Sequence, residues 1–235
     1  DKSKDVTFGS ECVLAELIQE SDTIYIHSDT LRILPDTVDD QKMIFAYHGV
    51  RIFNTQIQAR CDSLSFIETA DLMTLYSSPI IWSENAELKG DSMQIHLKDS
   101  LIDHIDIYDN ASVIMELDSG TFYNQISGKD IIALMKKGKL VQTDVYGSAT
   151  SIYFPEDEEQ TDSLLTIKRM GLNKLEASTL TVHLDSGEVT GITYRTQPTG
   201  VFYPMDQINI KDKWIKNFKW NPMLRPKDFS TLDND

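Results

Sequence analysis

Cysteine is scarce in this chain of 235 residues, which contains only Cys12 and Cys61. Two cysteines are too few to define the disulfide framework of a small secreted domain. Both lie in strand-like, partly apolar surroundings, so we expect two buried thiols. A bridge between them in an oxidising compartment is the alternative. The sequence therefore excludes a disulfide-rich scaffold.

Long apolar runs and basic clusters are absent as well. No apolar stretch approaches the length needed to span a bilayer. The chain has 22 Lys and Arg against 37 Asp and Glu, a formal net charge of -15. No basic stripe is available to neutralise a phosphate backbone, so we expect no nucleic-acid partner. The densest acidic run, at 156–159, is expected to be a solvated loop.

Sequence signatures of catalysis are also missing. No nucleophile elbow, phosphate-binding loop or zinc-type spacing of Cys and His occurs. The adjacent carboxylates at 39–40 and 157–158 are not the facing pair that a glycosidase needs. A metal site built from Asp103, His104 and Asp106 would lack the usual spacing and supporting partners. We therefore expect no catalytic residue, no metal and no cofactor.

The chain does contain a repeated unit, in which a short apolar alternation is followed by a tyrosine. The alternations begin at five anchors, and the paired markers are Leu31 with Tyr47, Leu64 with Tyr76, Met93 with Tyr108, Ile131 with Tyr146 and Leu180 with Tyr194. Successive anchors are 33, 29, 38 and 49 residues apart, and successive tyrosines are 29, 32, 38 and 48 apart. Because the spacings of the anchors and of the tyrosines vary in parallel, they indicate one repeated supersecondary unit with loops of varying length. Such repeats stack into an extended surface and seldom build a catalytic centre.

Each unit is predicted to be a β-hairpin followed by a third short strand. The alternation has the period of a strand, and Gly, Asp, Ser and Pro supply the turns. After each tyrosine the chain breaks briefly and resumes, as at 50–53 and 80–82. Residues 129–137 and 11–18 contain good helix formers, so a short helix is the alternative there. Their register with the other hairpins favours strands.

Two apolar strips follow from the alternation, because one face of each strand is buried. The first strip holds the anchors and the residues two beyond them: Leu31, Ile33, Leu64, Phe66, Met93, Ile95, Ile131, Ala133, Leu180 and Val182. The second strip, expected to face the first, holds residues one and three before the first three tyrosines: Ile44, Ala46, Met73, Leu75, Ile105 and Ile107. The strips form either a filled sandwich core or the two walls of a cleft.

The tyrosines are expected to lie one step off the inward strip. They either form a row at the mouth of a cleft or cap the apolar layer with their hydroxyls bonded at the surface, and the second interpretation is preferred. His96 and His183 occupy equivalent positions, three residues beyond their anchors, and are expected to face away from the strip.

Several segments resemble OstA-like proteins of the lipopolysaccharide-transport group. They are residues 26–33, 46–53, 61–64 and 78–82. The resemblance covers roughly residues 5–205 and is strongest to the longer, Bacteroidetes-type proteins, whose tail is similar to 218–222 and 225–226 here. Unequal repeat lengths, the acidic run and the proline-bearing tail depart from the compact LptA-like bridge proteins.

The resemblance implies an all-β, repeat-built antiparallel β-jellyroll folded like a taco, with two facing sheets open along one seam. It implies a periplasmic protein without catalytic residues that holds the acyl chains of lipid A in a groove lined by the residues of the two strips. Residues 1–212 would form a jellyroll of about five hairpin repeats, and 213–235 an extended tail. The alternatives are a structural scaffold of the cell envelope with a filled core and, third, a carbohydrate-binding jellyroll with a planar row of exposed aromatic residues.

Expected partners are lipopolysaccharide and other OstA-like envelope proteins. Terminal strands with unpaired backbone groups would add such a protein, or a second copy head to tail. The tail from Trp214, with Pro222 and Pro226, is expected to blunt one such edge. Because the strand pattern starts abruptly at 6–9 without an initiator methionine, we expect a removed leader or further repeats upstream.

Overall fold

The computed structural model describes residues 7–18, 23–35, 42–99, 101–161 and 164–228. Its strands, in chain order, are β1 Thr7–Ile18, β2 Thr23–Pro35, β3 Lys42–Phe53, β4 Gln58–Ile67, β5 Leu72–Tyr76, β6 Ile80–Ser83, β7 Ala86–Lys89, β8 Ser92–Lys98, β9 Leu101–Tyr108, β10 Ala111–Leu117, β11 Phe122–Gly128, β12 Asp130–Lys136, β13 Lys139–Tyr153, β14 Glu156–Thr161, β15 Leu164–Arg169, β16 Gly171–Asp185, β17 Glu188–Arg195 and β18 Thr199–Pro204. Single 3-10 turns lie at Glu68–Ala70, Asp118–Gly120, Met205–Gln207, Ile210–Asp212 and Pro222–Leu224. None of the helices in the described ranges is long and apolar enough to cross a membrane.

Sixteen of the described strands form one continuous hydrogen-bonded sheet that folds into two layers, because the long strands contribute one half to each layer. Register shifts interrupt the pairing of β1 with β2, β2 with β3, β3 with β4 and β13 with β16 near the middle of each strand. Sheet I contains, in order, one half of β1, β2, β3 and β4, then β5, β8, β9, β12, a half of β13, a half of β16, and β17. Sheet II contains the other halves of β1 to β4, then β6, β7, β10, β11, the other halves of β13 and β16, and β18. The fold is an all-β antiparallel jellyroll, as predicted.

The chain crosses between the sheets on one side of the molecule, called the hinge side here. The same backbone conformation recurs there in every unit. A pair of consecutive residues in the left-handed region follows each tyrosine, at 48–49, 77–78, 109–110, 147–148 and 196–197. Glycine, Asn, Asp and His favour this conformation most, and they supply five of these ten positions; Ser supplies three more. The tyrosine therefore marks the place where the chain leaves sheet I.

Two hinge glycines allow neighbouring segments to approach closely. A Cβ on Gly90 or Gly128 would lie 2.5 Å from the side chain of Ile107 or Val145. The residues that follow these glycines, Asp91 and Lys129, each donate a backbone hydrogen bond to the carbonyl of the unit's tyrosine, at 3.0 and 2.9 Å. The opposite side of the molecule, called the turn side, carries the hairpin turns of both sheets. The fold is thus hinged along one side, and within the described residues no strand pairing joins the two sheets along the other.

Both segments that the sequence left ambiguous are strands. Residues 130–136 form β12, which pairs with β9 and β13, and residues 11–18 lie within β1. The expected turn at 35–37 lies largely outside the described residues.

The acidic run was predicted wrongly as a loop. Residues 156–161 form β14, paired with β15 in a separate two-stranded sheet. Glu156 lies opposite Arg169, and Asp157 lies opposite Lys168. Opposite charges across a strand pair are stabilising, which the sequence of the acidic run alone does not show.

An intrachain bridge between the two cysteines is excluded by the strand order. Cys12 lies in β1 and Cys61 in β4, and β2 and β3 separate them. Three strand spacings amount to about 14 Å, whereas a disulfide needs Cα atoms within about 7 Å. Cys61 is a buried free thiol whose pKa is raised to about 12 by burial.

The C-terminal segment 205–228 crosses the outer face of sheet II and does not pair with an edge strand. Ile215 is buried in a second apolar cluster with Ile114, Ile152, Phe154 and Leu172. Ile114, Ile152 and Leu172 lie on the strand faces turned away from the interior, and Phe154 directly follows β13. These contacts place the tail over a sheet face, so the prediction that it blunts an edge was wrong for the part up to 228; residues 229–235 lie outside the described residues.

Candidate functional site

The interior between the sheets is the candidate site, and it contains the residues of both predicted strips. All of them except Ile33 are buried in one apolar core. Ile33 is partly buried and packs against that core. Their exposed fractions range from 0% for Ala46, Leu75 and Met93 to 7% for Phe66. The alternation therefore identified the inward face of sheet I correctly.

The two strips do not face each other, however. Leu31 pairs with Ala46 and Leu64 with Leu75, so the strips are cross-strand neighbours within sheet I. This is a correction with a simple cause, because the two arms of a hairpin belong to the same sheet.

The facing wall comes from sheet II, and its residues were not predicted as wall residues. They are Ile24, Ile26, Val50, Ile52, Ala59, Ile81, Ala86, Leu88, Ala111, Val113, Met115, Ile126 and Ala149. The third strand of each unit carries part of this wall, as in Val50 and Ile52 of β3 and Ile81 of β6. A period-two pattern starting after each tyrosine break was the signal that could have located it.

Four of the five tyrosines lie on the outer face of sheet I. Tyr47, Tyr76, Tyr108 and Tyr146 each pair with the residue before the unit's anchor, and 36–43% of each residue is exposed. The hydroxyls of Tyr76 and Tyr108 hydrogen bond to Ser65 and Gln94 at 3.2 and 3.0 Å. These two match the preferred interpretation, in which the hydroxyl is bonded at the surface.

The fifth tyrosine is shifted by one position and points into the interior. Tyr194 pairs with the anchor Leu180 itself. Its hydroxyl hydrogen bonds to Ser151 of sheet II at 2.9 Å, and burial raises its pKa. Tyr194 thus connects the two walls, and its prediction as one step off the strip was wrong.

A small cavity lies between the walls near the C-terminal end of the stack. Its volume is about 40 Å³, enough to hold water but far less than an acyl chain occupies. Its lining is Val113, Met115, Asn124, Gln125, Ile126, Leu140, Thr143, Ser151, Ile152, Tyr153, Val182, Leu184, Val189 and Ile192.

The C-terminal end of the interior is the less covered one. Val189 and Ile192 of β17 pack only partly buried against the core. Phe202 of β18 is 47% exposed. Strand alternation turns it to the same side as Tyr153, since both are opposite Asn173. Apolar side chains therefore reach the surface where β17 and β18 end the two sheets.

Contacts between hairpin turns connect the sheets across the turn side. Ser83 Oγ donates to the Gly138 carbonyl at 3.4 Å, and Lys139 Nζ lies 3.0 Å from Glu84 Oε1. The Gln56 side chain occupies the space beside Gly138 that a Cβ would fill. We call these contacts the turn-side contact. The Ser83–Gly138 hydrogen bond is buried, whereas the Lys139–Glu84 pair is exposed and contributes little to holding the sheets together.

Comparison of the sequence with protein-family models and with curated proteins returned no match. Among solved structures, the chain is similar to LptH of Pseudomonas aeruginosa, described as the LptA homologous periplasmic component of the lipopolysaccharide transport device. The identity is 10%, the TM-score is 0.46, and the similarity covers 63% of this chain and 95% of that one. The strand pairing described above defines the fold of this chain independently of that similarity.

Proposed function

We propose that this protein is a non-catalytic, periplasmic lipid-binding protein of lipopolysaccharide transport, which holds acyl chains between its two sheets. The observation that carries the proposal is the apolar interior, lined by both sheets, within a fold whose described strands are hinged along one side. The sequence resemblance to OstA-like proteins supports lipid A as the ligand. The residues proposed to contact acyl chains are Leu31, Ile33, Ile44, Ala46, Leu64, Phe66, Met73, Leu75, Met93, Ile95, Ile105, Ile107, Ile131, Leu180 and Val182.

Lipid binding requires the sheets to separate, because the cavity of about 40 Å³ is far too small for an acyl chain. Each methylene that enters the interior contributes about 0.8 kcal/mol. An exposed ion pair such as Lys139 with Glu84 opposes opening by about 0–1 kcal/mol. A bound acyl chain also replaces the contacts between the two walls that are lost when the sheets separate. Binding by apolar burial alone needs no basic clamp, in keeping with the net charge of -15.

The proposed partners follow from the ends of the stack. Within the described residues, β17 and β18 each pair with β16 alone. Their free edges are available to a strand of another OstA-like protein or of a second copy. Such a contact at the less covered end would join two interiors and give the lipid a path between proteins.

The test is lipid capture by the purified full chain. We expect lipid A from a bacterial envelope to remain bound in native mass spectrometry. Ile192→Asp, at the partly buried end of the interior, should reduce capture of a lipid A probe at least tenfold. Thr193→Asp is the matched control, because Thr193 is exposed on the same strand and should leave capture unchanged.

A structural scaffold with a filled core is the second candidate, favoured by the burial of the residues of both walls and by the small size of the cavity between them. It predicts that neither bound lipid nor capture of the probe is detected, although circular dichroism shows a folded chain. That result would reject the lipid-binding proposal, as would equal loss of capture in the two variants.

A further inference from the structure

A cluster of polar side chains lies on the outer face of sheet I, away from the interior. His96 of β8 pairs directly with His104 of β9, and their rings stack with centroids 4.1 Å apart. Asp106 lies two residues beyond His104 on β9 and so projects from the same face. Its Oδ2 lies 3.1 Å from His96 Nε2 and 4.0 Å from His104 Nε2. Three nitrogen and oxygen donors from two strands therefore converge.

A β-bulge gives this cluster a supporting carboxylate. His96 pairs with His104 but Leu97 pairs with Ile102, so Asp103 is an additional residue in β9. Adjacent residues of a regular strand point to opposite faces, whereas a bulge re-aims a side chain. Asp103 Oδ2 consequently lies 2.8 Å from His104 Nδ1.

The Asp103 contact determines which nitrogen of His104 is available. An ionised carboxylate can only accept, so Nδ1 donates the hydrogen bond. The neutral ring then carries its lone pair on Nε2, the atom nearer Asp106. A histidine whose second nitrogen is held by a carboxylate is the usual arrangement at protein metal sites.

The cluster is accessible but not freely mobile. The side chains of His96, His104 and Asp106 are 31%, 29% and 19% exposed. The Tyr108 hydroxyl lies 3.3 Å from Asp106 Oδ2 and restricts that carboxylate. The ligand atoms of the three residues all lie within 4.8 Å of one another. In a tetrahedral zinc site, bonds of about 2.0–2.1 Å place the ligand atoms about 3.3 Å apart. To bind one ion, the two stacked rings must rotate so that both Nε2 atoms point at it, and His96 Nε2 must exchange its hydrogen bond with Asp106 for the metal.

We propose that His96, His104 and Asp106 form a binding site for a divalent transition-metal ion of the zinc type, with Asp103 as the residue that positions His104. Imidazole nitrogens favour Zn²⁺ and its late first-row neighbours over Mg²⁺ or Ca²⁺. The fourth position, towards solvent, takes water. The sequence predicted no metal here because His96 and His104 become neighbours only through the pairing of β8 with β9. The site uses no residue of the interior and is independent of the proposed lipid binding.

Calorimetric titration of Zn²⁺ into the chelator-treated full chain, without a polyhistidine tag, tests the site. We expect one equivalent to bind, and His96→Ala or Asp106→Asn to weaken binding at least tenfold. Asp103→Asn should keep the stoichiometry and weaken affinity about 10–100-fold. His48→Ala is the matched control, since His48 forms another exposed contact with a carboxylate, Asp62, at 3.2 Å, and it should change nothing.

A second measurement separates metal binding from folding. Co²⁺ bound to the wild type should give the visible absorption of a tetrahedral site, and His96→Gln should abolish it while the urea midpoint without metal stays unchanged. The proposal is overturned if the wild type binds no Zn²⁺, if His96→Ala and Asp106→Asn bind it as tightly as the wild type, or if His48→Ala weakens binding equally.

Discussion

Replacing Glu87 should destabilise the protein more than any surface substitution, because this carboxylate is fully buried and fixes the tail to sheet II. The side chain of Glu87 is 0% exposed. Its Oε2 accepts from Trp82 Nε1 and from the backbone amide of Asn221, both at 2.9 Å, and its Oε1 accepts from Asn221 Nδ2 at 2.9 Å. Lys89 forms an ion pair with the same carboxylate. Glu87→Ala removes every one of these acceptors at once.

The size of the effect is bounded from two sides. Removing one partner of a buried ion pair costs about 3–5 kcal/mol, because a desolvated charge is left behind. The separate hydrogen bonds to a charged group, at about 1.5–3 kcal/mol each, would sum to more. That sum overestimates the loss, because the released segment around Asn221 would be hydrated by water. We therefore expect the free energy of unfolding to fall by about 3–5 kcal/mol.

Urea unfolding followed by tryptophan fluorescence measures this loss. Trp82 donates to Glu87, and Trp214 and Trp220 contact Tyr123 within the tail's aromatic cluster. These are the three tryptophans of the chain, so the signal reports on this face. Native-state trypsin should also cleave the tail lysines Lys213 and Lys216 faster in the variant.

Glu84→Ala is the control for Glu87→Ala. Glu84 is 43% exposed and forms the pair with Lys139 at 3.0 Å, so its loss should cost about 0–1 kcal/mol. A Glu87→Ala protein with the midpoint of the wild type, or two variants with equal losses, would refute the conclusion that the buried carboxylate anchors the tail.

Three further predictions concern a thiol, an arginine and the turn-side contact. Burial raises the pKa of Cys61 from 9.0 to about 12, so the folded state keeps the thiol proton to higher pH than the unfolded state does. In urea titrations, the stability relative to Cys61→Ala should be constant below pH 9.0 and should fall by about 1.4 kcal/mol per pH unit above it. A stability difference independent of pH would contradict this. Arg169 holds Asp118 through two nitrogens at 2.9 and 3.0 Å, so Arg169→Lys should lose about 1 kcal/mol and speed hydrogen exchange in β14 and β15, whereas the exposed Arg195→Lys should not. Lys139→Glu places like charges at the turn-side contact and should accelerate uptake of a lipid A probe, while Lys137→Glu, exposed in the same turn, should leave the rate unchanged; equal rates in the two variants would remove the role of this contact.

The sequence determined the hairpins and the inward face of sheet I. Side chains alternate with period two along a strand, so the spacing alone shows that Leu64 and Phe66, or Met93 and Ile95, lie on the same face. The tyrosine spacing located the unit boundaries for a related reason. Each of the first four tyrosines precedes a pair of left-handed residues, and such pairs restrict which amino acids can follow.

Tertiary structure decided which surfaces meet. The alternation at Ile81 or Val113 resembles that at Leu64, and only the crossing at the hinge places Ile81 and Val113 on the opposite wall. The one-residue register difference that turns Tyr194 inward is likewise a property of strand pairing and not of spacing.

The polar sites depend on tertiary structure most strongly. Glu87 and Asn221 are distant in the chain, and His96 contacts His104 only because β8 pairs with β9. Local sequence thus fixed the backbone period and the turns, because those depend on each residue and its immediate neighbours. The facing wall, the tail anchor and the histidine cluster depend on contacts between distant residues, which form only when the strands pair and the sheet folds into its two layers.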